Sequence, residues 1–594
     1  MTTEFAVGID LGTTNSVAAY VPLGDDEAAI QLLPVPQLVA AGTVEARTSL
    51  PSFLYIPTEE ESAKQAFALP CDDRPDVVTG EFAHKQAADV PTRTVVSAKS
   101  WLCHNRVDRR QNILPWGADD SIPKVSPVAA AEHYLKHLVA AWNAAHPDAS
   151  LAEQHVVLTV PASFDAAARE LTREAALAAG LPEDFVLLEE PQAALYAYLA
   201  TAGDAWRKEL AVGDVLLVCD VGGGTTDFTL IDVEEEDGEL TLRRRAVGNH
   251  LLVGGDNMDL ALAHQAAGEF AKKGTKLDAW QSVSLWHACR TAKETIFGDE
   301  GPATHPVTVL GRGSKLIGGT VSIDMDRKKS AALLLEGFFP KCDIQEKPAA
   351  APPSGFQEIG LPFEADTAVT RHLAAFLSAH GDSEPVMPTR LLFNGGVFKA
   401  AELRKRLQQT IAGWADAKSR PRLLDGEHDL DYAVARGAAY YARAKQGRGI
   451  RIRGGTSRAY YVGIETSGPA IPGVPRPLRA LCVAALGMEE GTEADVPSGE
   501  IGLVVGQPAQ FRFFSSAVRR DDQPGDVIAS WTTDEIAETD PLEATLPANT
   551  ETDEGYVPVK FHTKITELGM FELWCVSTTS DQRWKLEFSV RGDE

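Results

Sequence analysis

Two short stretches of the chain carry residue types suited to holding an anion beside a metal ion. The first is Val7-Gly8-Ile9-Asp10-Leu11-Gly12-Thr13-Thr14-Asn15-Ser16, and the second is Leu216-Leu217-Val218-Cys219-Asp220-Val221-Gly222-Gly223-Gly224-Thr225-Thr226-Asp227. In each, an apolar strand delivers an aspartate and a Gly/Thr turn follows at once. Glycine accepts φ > 0, so consecutive backbone N–H groups can converge on one anion, and threonine hydroxyls add donors. Asp10 and Asp220 are each suited to a hydrated Mg²⁺, which keeps several waters and takes only a few carboxylates. Facing each other, the turns Gly12-Thr13-Thr14 and Gly222-Gly223-Gly224-Thr225 would grip the phosphates of one nucleotide from both sides. Two ordinary Gly-rich hairpins would need the glycines, but not the same Asp-before-Gly/Thr order after an apolar strand twice.

Elements long enough to position such turns need more than one core, and 594 residues predict two or more domains. Apolar content of 44% is that of a globular protein, and a net charge of −28 argues against general binding to nucleic acid or anionic membranes. Cys71, Cys103, Cys219, Cys289, Cys342, Cys482 and Cys575 are odd in number and never spaced C-x-x-C, which predicts a reduced, cytoplasmic protein without a disulfide framework or zinc site. No signal peptide and no apolar stretch long enough to span a bilayer is evident. P-loop, zinc-protease and serine-hydrolase signatures are absent.

The turns are similar to the two phosphate loops of the actin/sugar-kinase/heat-shock ATPase superfamily, and Asp10–Ser16 resembles the DnaK-type heat-shock chaperones in particular. The resemblance runs over roughly Phe5 to Tyr441 and implies an α/β fold: a two-lobed actin-like ATPase domain of duplicated ribonuclease-H-like lobes, over 1–445. It implies ATP/ADP and Mg²⁺ as cofactors. Glu190, in Leu187-Leu188-Glu189-Glu190-Pro191, matches a nucleotide-sensing glutamate that with Asp227 would orient the attacking water. Pro161 and Arg169 match residues that relay nucleotide state to the substrate domain, although the family's tyrosine is Ser163 here. Where the family's G-D-A-A-K-x-Q segment aims a lysine at the γ-phosphate, this chain has Gly80-Glu81-Phe82-Ala83-His84-Lys85-Gln86, so His84 or Lys85 would supply the cation. Gly254 and Gly255 would offer N–H groups to phosphates at a helix start. Lys293 would contact the ribose, while Arg290, Glu294 and Phe297 depart from the family's pattern around the base. Gly395 and Gly396 would let adenosine approach the backbone, with Lys399 over the base and Asp431 at the closing small-residue helix Asp431–Ala439.

Local signals fix several elements. Ser126-Pro127 starts a helix to about Ala145, on which His133 and His137 are read as surface residues rather than metal ligands. Asp165–Gly180 reads as a helix, Thr229–Val233 with Leu240–Ala246 as a hairpin, and Pro340–Pro362 as an exposed Pro/Ala-rich insertion. Residues 446–456 read as a basic interdomain linker, with Arg448, Arg451 and Arg453. Strands at Arg458–Glu465, Ala480–Leu486, Phe511–Phe514 and Trp584–Val590 predict a β-sandwich over 457–594, resembling a substrate-binding domain without the helical lid. The leading expectation is a slow, Mg-dependent ATPase of chaperone type, coupled to a β-domain that binds a client protein or peptide and served by a co-chaperone or exchange factor. A nucleotide-gated scaffold with little hydrolysis is the alternative, suggested by His84 and the altered Arg290/Glu294 pocket. A sugar kinase shares the fold but not the V-P-A-x-F and E-P blocks.

Overall fold

The computed structural model describes all residues except 1–2, 26–27, 64–65, 71–74, 105, 237–238, 299, 311–319, 351–360, 362, 382–383, 417–418, 425–428, 448–454, 466–476, 490, 500, 505–507, 546–555, 567–569 and 589–594. Two sheets repeat one plan. In the first, β1 (Phe5–Leu11) pairs antiparallel with β2 (Asn15–Pro22) and β2 with β3 (Gln31–Leu32), while β4 (His155–Val160) lies parallel to β1 and β5 (Val186–Glu189) parallel to β4. In the second, β6 (Val215–Val221) pairs antiparallel with β7 (Thr226–Glu236) and β7 with β8 (Glu239–Val247), while β9 (Arg390–Asn394) is parallel to β6 and β10 (Arg422–Leu423) parallel to β9. The orders β3-β2-β1-β4-β5 and β8-β7-β6-β9-β10 are therefore equivalent, apart from the short strand Leu50–Pro51 added beside β2. Central strands with parallel neighbours are covered on both faces, which is why β1 and β6 read as continuous apolar runs.

The helices Glu190–Ala202 and Ala433–Lys445 lie between the sheets. Their core joins Ala6, Val157 and Leu188 of the first sheet to Leu216, Val218 and Leu392 of the second. The small-residue run Ala433-Val434-Ala435-Arg436-Gly437-Ala438-Ala439 is explained by contact distance. A Cβ on Gly437 would sit 1.7 Å from the Ala193 carbonyl oxygen, and one on Gly8 would sit 2.2 Å from the Ala439 nitrogen. The helix Pro127–Ala145 forms as its sequence signals require, with Ser126 Oγ accepting from the Ala129 N–H at 3.0 Å. His137 corrects the surface reading: it is buried, its Nδ1 2.6 Å from Thr79 Oγ1 and its Nε2 2.8 Å from the Pro36 carbonyl oxygen.

From Ala459 onward, ten strands among the described residues form one sheet that folds over a main core containing Tyr460, Leu481, Phe513, Leu542, Phe561, Leu573 and Leu586, with a second cluster of Ala459, Tyr461, Ala480, Cys482, Phe514 and Ile536. The expected sandwich is thus made of one continuously hydrogen-bonded sheet, with strands Ala459–Glu465, Leu478–Ala484, Pro508–Ser516 and Arg583–Phe588 at the anticipated places. It rests on the first lobe: Ala166 enters its core, and Arg109 Nη2 lies 2.9 Å from Asp540 Oδ1 with both side chains buried. The basic positions Arg448, Arg451 and Arg453, and residues 351–360 and 362 of the Pro/Ala-rich insertion, fall outside the described residues.

Candidate functional site

The two Gly/Thr turns meet across a cleft of about 850 Å³, within the range of small-molecule sites. Asp10, Gly12, Thr13 and Thr14 line it from one lobe, and Asp220, Gly222, Gly223 and Thr225 from the other. A Cβ added to Gly223 would fall 2.0 Å from Thr14 Oγ1, and one on Gly224 3.0 Å from Thr13 Cγ2, so only glycine lets the turns come this close. Gly224 itself does not line the cleft. Ser52 braces the first turn, its Oγ donating to the Gly12 carbonyl at 2.7 Å.

Strand register sets the acids. Asp10 ends its strand opposite Thr159, and Asp220 opposite Asn394. Thr159 Oγ1 donates to Asp10 Oδ1 at 3.2 Å and Asn394 Nδ2 to Asp220 Oδ2 at 2.7 Å, so the repeat gives each carboxylate one orienting donor. Burial, with the Glu190 charge next in weight, raises Asp10 and Asp220 to about 7. Asp227, register partner of Asp220, is raised to about 7 by burial; it accepts hydrogen bonds from Ser163, yet its Oδ1 has no partner. Such under-compensated carboxylates fit a hard divalent cation. No group of three or more His, Cys, Asp or Glu side chains able to enclose a metal occurs among the described residues, but an ion that keeps its waters needs only one or two carboxylates.

The cation at this end of the cleft is Lys99, whose Nζ bonds Glu190 Oε1. Burial lowers and the charges of Glu190 and Asp10 raise its affinity for a proton, with a net rise. Sequence reasoning passed over it, because its helix Ala98–Leu102 carries no phosphate-loop pattern. Thr159 and Asn394 were missed too; their only signal is their place at the ends of two apolar strands.

Other expected residues are placed differently. His84 and Lys85 do not line the cleft. Lys85 Nζ bonds the Val39 carbonyl oxygen at 2.9 Å, and the His84 ring packs 4.6 Å from that of Phe53, its pKa lowered by burial. The reason is helical phase: on Glu81–Asp89 the face toward the core is taken by Phe82, Ala83 and Ala87. The amides of Gly254 and Gly255 are occupied within the protein, by Asn257 Oδ1 at 2.9 Å and the Gly222 carbonyl at 3.0 Å. These two glycines therefore buttress the second turn rather than offering free donors.

Farther along the cleft, Lys293, Glu294, Phe297, Gly395, Gly396, Lys399 and Asp431 are brought together. Lys293 Nζ is 2.8 Å from Asp259 Oδ1, and Lys399 pairs with Asp431. Arg290 turns away to Asp256 and Asp259, and its guanidinium lies 5.9 Å from the Phe53 ring. It belongs to a roof over the cleft, where the helices Glu81–Asp89 and Ala279–Phe297 touch and Trp280 Nε1 donates to the Asp89 carbonyl at 3.2 Å.

Pro161 and Arg169 do not line the cleft, and Arg169 faces Gly455 and Tyr460 at the C-terminal sheet. Arg169 Nη2 donates to Glu189 Oε1 at 2.7 Å, and Arg244 binds both Glu189 Oε2 and the Gly455 carbonyl. Glu189, adjacent to Glu190, thus ties both lobes to the start of the C-terminal sheet; the sequence drew attention only to its neighbour.

Residues 71–329 match the family model described as Hsp70 protein. The chain is 32% identical over 308 residues to the Chaperone protein HscA homolog of Pseudoalteromonas atlantica, covering 49% of this chain and 42% of that protein. It is 33% identical over 271 residues to the Chaperone protein DnaK of Thermotoga petrophila, covering 46% of this chain and 37% of that one. The matched part thus spans less than half the length of these relatives.

Proposed function

We propose that the chain, whose residues 71–329 match the Hsp70 family model, is an Hsp70-type, ATP-binding, slowly ATP-hydrolysing chaperone in which nucleotide state is coupled to the C-terminal β-sheet domain. The observation that carries this reading is the pair of Gly/Thr turns meeting across one cleft with Asp10 and Asp220 at their strand ends. In this reading 1–445 is the nucleotide-binding domain, 446–456 the linker and 457–594 the substrate-binding-like domain. Asp10 and Asp220 would hold Mg²⁺ through its waters, and the ion when bound would neutralise phosphate charge. The turns bind and orient the phosphates, Glu190 and Asp227 hold the attacking water, and the roof limits solvent. Catalysis is positioning plus electrostatics, as for phosphoryl transfer generally. The chain Glu190–Glu189–Arg169/Arg244–Gly455 supports a route from nucleotide to the β-sheet domain, whose client would be a protein or peptide, with an exchange factor acting on the lobes. The described cysteines are all free, which suits a cytoplasmic setting.

A second reading, a nucleotide-gated scaffold, is favoured by Glu190 being engaged by Lys99 rather than free for water. Single-turnover conversion of labelled ATP with Mg²⁺ and protein in excess separates the two. ATP bound and converted to ADP supports the ATPase; ATP bound and intact supports the scaffold; no binding refutes the nucleotide site itself.

A further inference from the structure

We propose that Lys99 is the catalytic cation of the phosphoryl-transfer site and that the C-terminal sheet positions it through Asp540 and Arg109. This rests on the nucleotide reading above and assigns a residue of that same site. Lys99 lies in the cleft wall with Asp10, Asp220 and Glu190, and its side chain is 8% exposed. The other two lysines lining the cleft are held by aspartates beyond this acid cluster, Lys293 by Asp259 and Lys399 by Asp431. His84 and Lys85 face elsewhere.

In hydrolysis the water oxygen bonds to the γ-phosphorus and the β,γ-bridging P–O bond breaks, its electron pair staying on the bridging oxygen of ADP. The water proton passes to a carboxylate, Glu190 or Asp227. Negative charge on the departing oxygen and the transferred group needs a fixed cation in a low-dielectric site. Lys99 is the ammonium within the acid cluster. When it leaves Glu190 for the phosphoryl oxygens, the same movement frees the Glu190 carboxylate for the water, so one displacement arms both groups.

The helix carrying Lys99 has only five residues, Ala98–Leu102, too few to be stable alone, and neighbours hold it from three sides. At its start Ser97 is left-handed (φ 53°), the one non-glycine residue with positive φ among those described, and its Oγ donates to Asp256 Oδ2 at 3.2 Å across the cleft. In its middle Ser100 Oγ faces Gly224 of the second phosphate turn. At its end the Leu102 carbonyl accepts from Arg109 Nη1 at 3.3 Å, and Arg109 Nη2 pairs at 2.9 Å with Asp540 of the strand Ala537–Thr545. Arg109 is 0% and Asp540 5% exposed, so this pair is shielded from solvent. A residue kept in a sparsely populated backbone region and clamped from both ends marks a site where geometry matters. The last clamp belongs to the C-terminal sheet, so undocking that sheet releases the lysine's helix.

The test is single-turnover hydrolysis of MgATP by the full chain, run beside equilibrium binding of ATP and ADP. Lys99→Met should bind nucleotide and hydrolyse it ~10²–10³-fold more slowly, the loss typical of removing one charge-stabilising donor. Lys99→Arg, which keeps a charge beside Glu190, guards against a folding failure; it should bind nucleotide and lose about tenfold or more in rate. Asp540→Asn should lower the hydrolysis rate about tenfold with ATP affinity unchanged, a split that loss of stability alone would not give. ATP bound by Lys99→Met and cleaved at the wild-type rate, or the loss following Lys85→Met instead, overturns the catalytic assignment. Unchanged hydrolysis in Asp540→Asn overturns the positioning role. A wild-type protein that fails to bind MgATP removes the nucleotide reading and this inference with it.

Discussion

Replacing Glu189 with glutamine changes one oxygen for an amide and should still cost the protein heavily. Glu189 is buried and accepts from Arg169 on one carboxylate oxygen and from Arg244 on the other. Glutamine can accept from only one of them; its NH₂ meets the other guanidinium donor to donor. The arginine side chains are 11% and 5% exposed, so bulk solvent compensates little for the lost partner. Removing one member of a buried ion pair costs ~3–5 kcal/mol, because the remaining charge stays uncompensated. That is a large part of the ~5–15 kcal/mol that stabilises a folded protein. Arg244 also holds the Gly455 carbonyl, so the loss should appear first as loosening of the segment that leads into the sheet at Ala459. Urea unfolding of Glu189→Gln, Arg244→Met and the double variant measures it, with hydrogen exchange in 455–465 locating it. The double variant should be less destabilised than the sum of the two singles, because it removes the stranded charge. A Glu189→Gln loss below about 1 kcal/mol, or additivity within ~0.5 kcal/mol, would refute the reasoning.

Gly437→Ala should destabilise the protein by roughly 1–3 kcal/mol or more, since the new methyl must push the Ala193 carbonyl from 1.7 Å to contact distance; thermal unfolding checks it, and an unchanged transition would contradict the packing. Gly223→Ala should abolish nucleotide binding with little change in unfolding temperature, because the methyl lands in the cleft against the Thr14 hydroxyl; isothermal titration with ADP reads this out. The pH response should depend on the bound ion. Without it, Asp10, Asp220 and Asp227 keep their protons up to about 7, favouring the fold less as pH rises from the ordinary carboxylate range to 7. Buried His250, His287 and His380 stay neutral down to about 4, 3 and 4, favouring the fold more as pH rises across that window to 6.5. These trends oppose each other in the bare protein. A bound cation removes the first, so Mg²⁺-ADP should raise the unfolding temperature more at pH 7.5 than at pH 5.5; an equal rise at both would show that the carboxylates do not face the ion.

Much of the fold was legible because its signals are local. The repeated Asp-Gly/Thr turns carried the resemblance that implied duplicated lobes, Ser126-Pro127 fixed a helix start, and alternation from Trp584 to Phe588 marked a strand with one face turned inward. What stayed hidden depends on contacts between segments far apart in sequence. Lys99 and Glu190 meet across 91 positions, and Asp220 and Asn394 across 174, by strand register and helix placement that no window of sequence contains. His84 was misplaced for a related reason: matching a motif residue by residue locates the backbone, but the turn of the helix decides which side chain faces the cleft. His137 went from surface to core because its partners, Thr79 and Pro36, lie 58 and 101 positions away along the chain.

The roof formed by the helices Glu81–Asp89 and Ala279–Phe297 would separate how long a nucleotide stays from how tightly it binds. Trp280, Arg290 and Phe53 hold the roof shut by contacts with the protein rather than with the cleft's contents. A barrier of that kind slows entry and departure by the same factor, leaving the equilibrium constant where the phosphate turns set it. Occupancy by a bound nucleotide would then persist long after free ligand has fallen, giving the molecule a memory of its last encounter. Whatever pries the two helices apart resets that clock without touching the bound molecule.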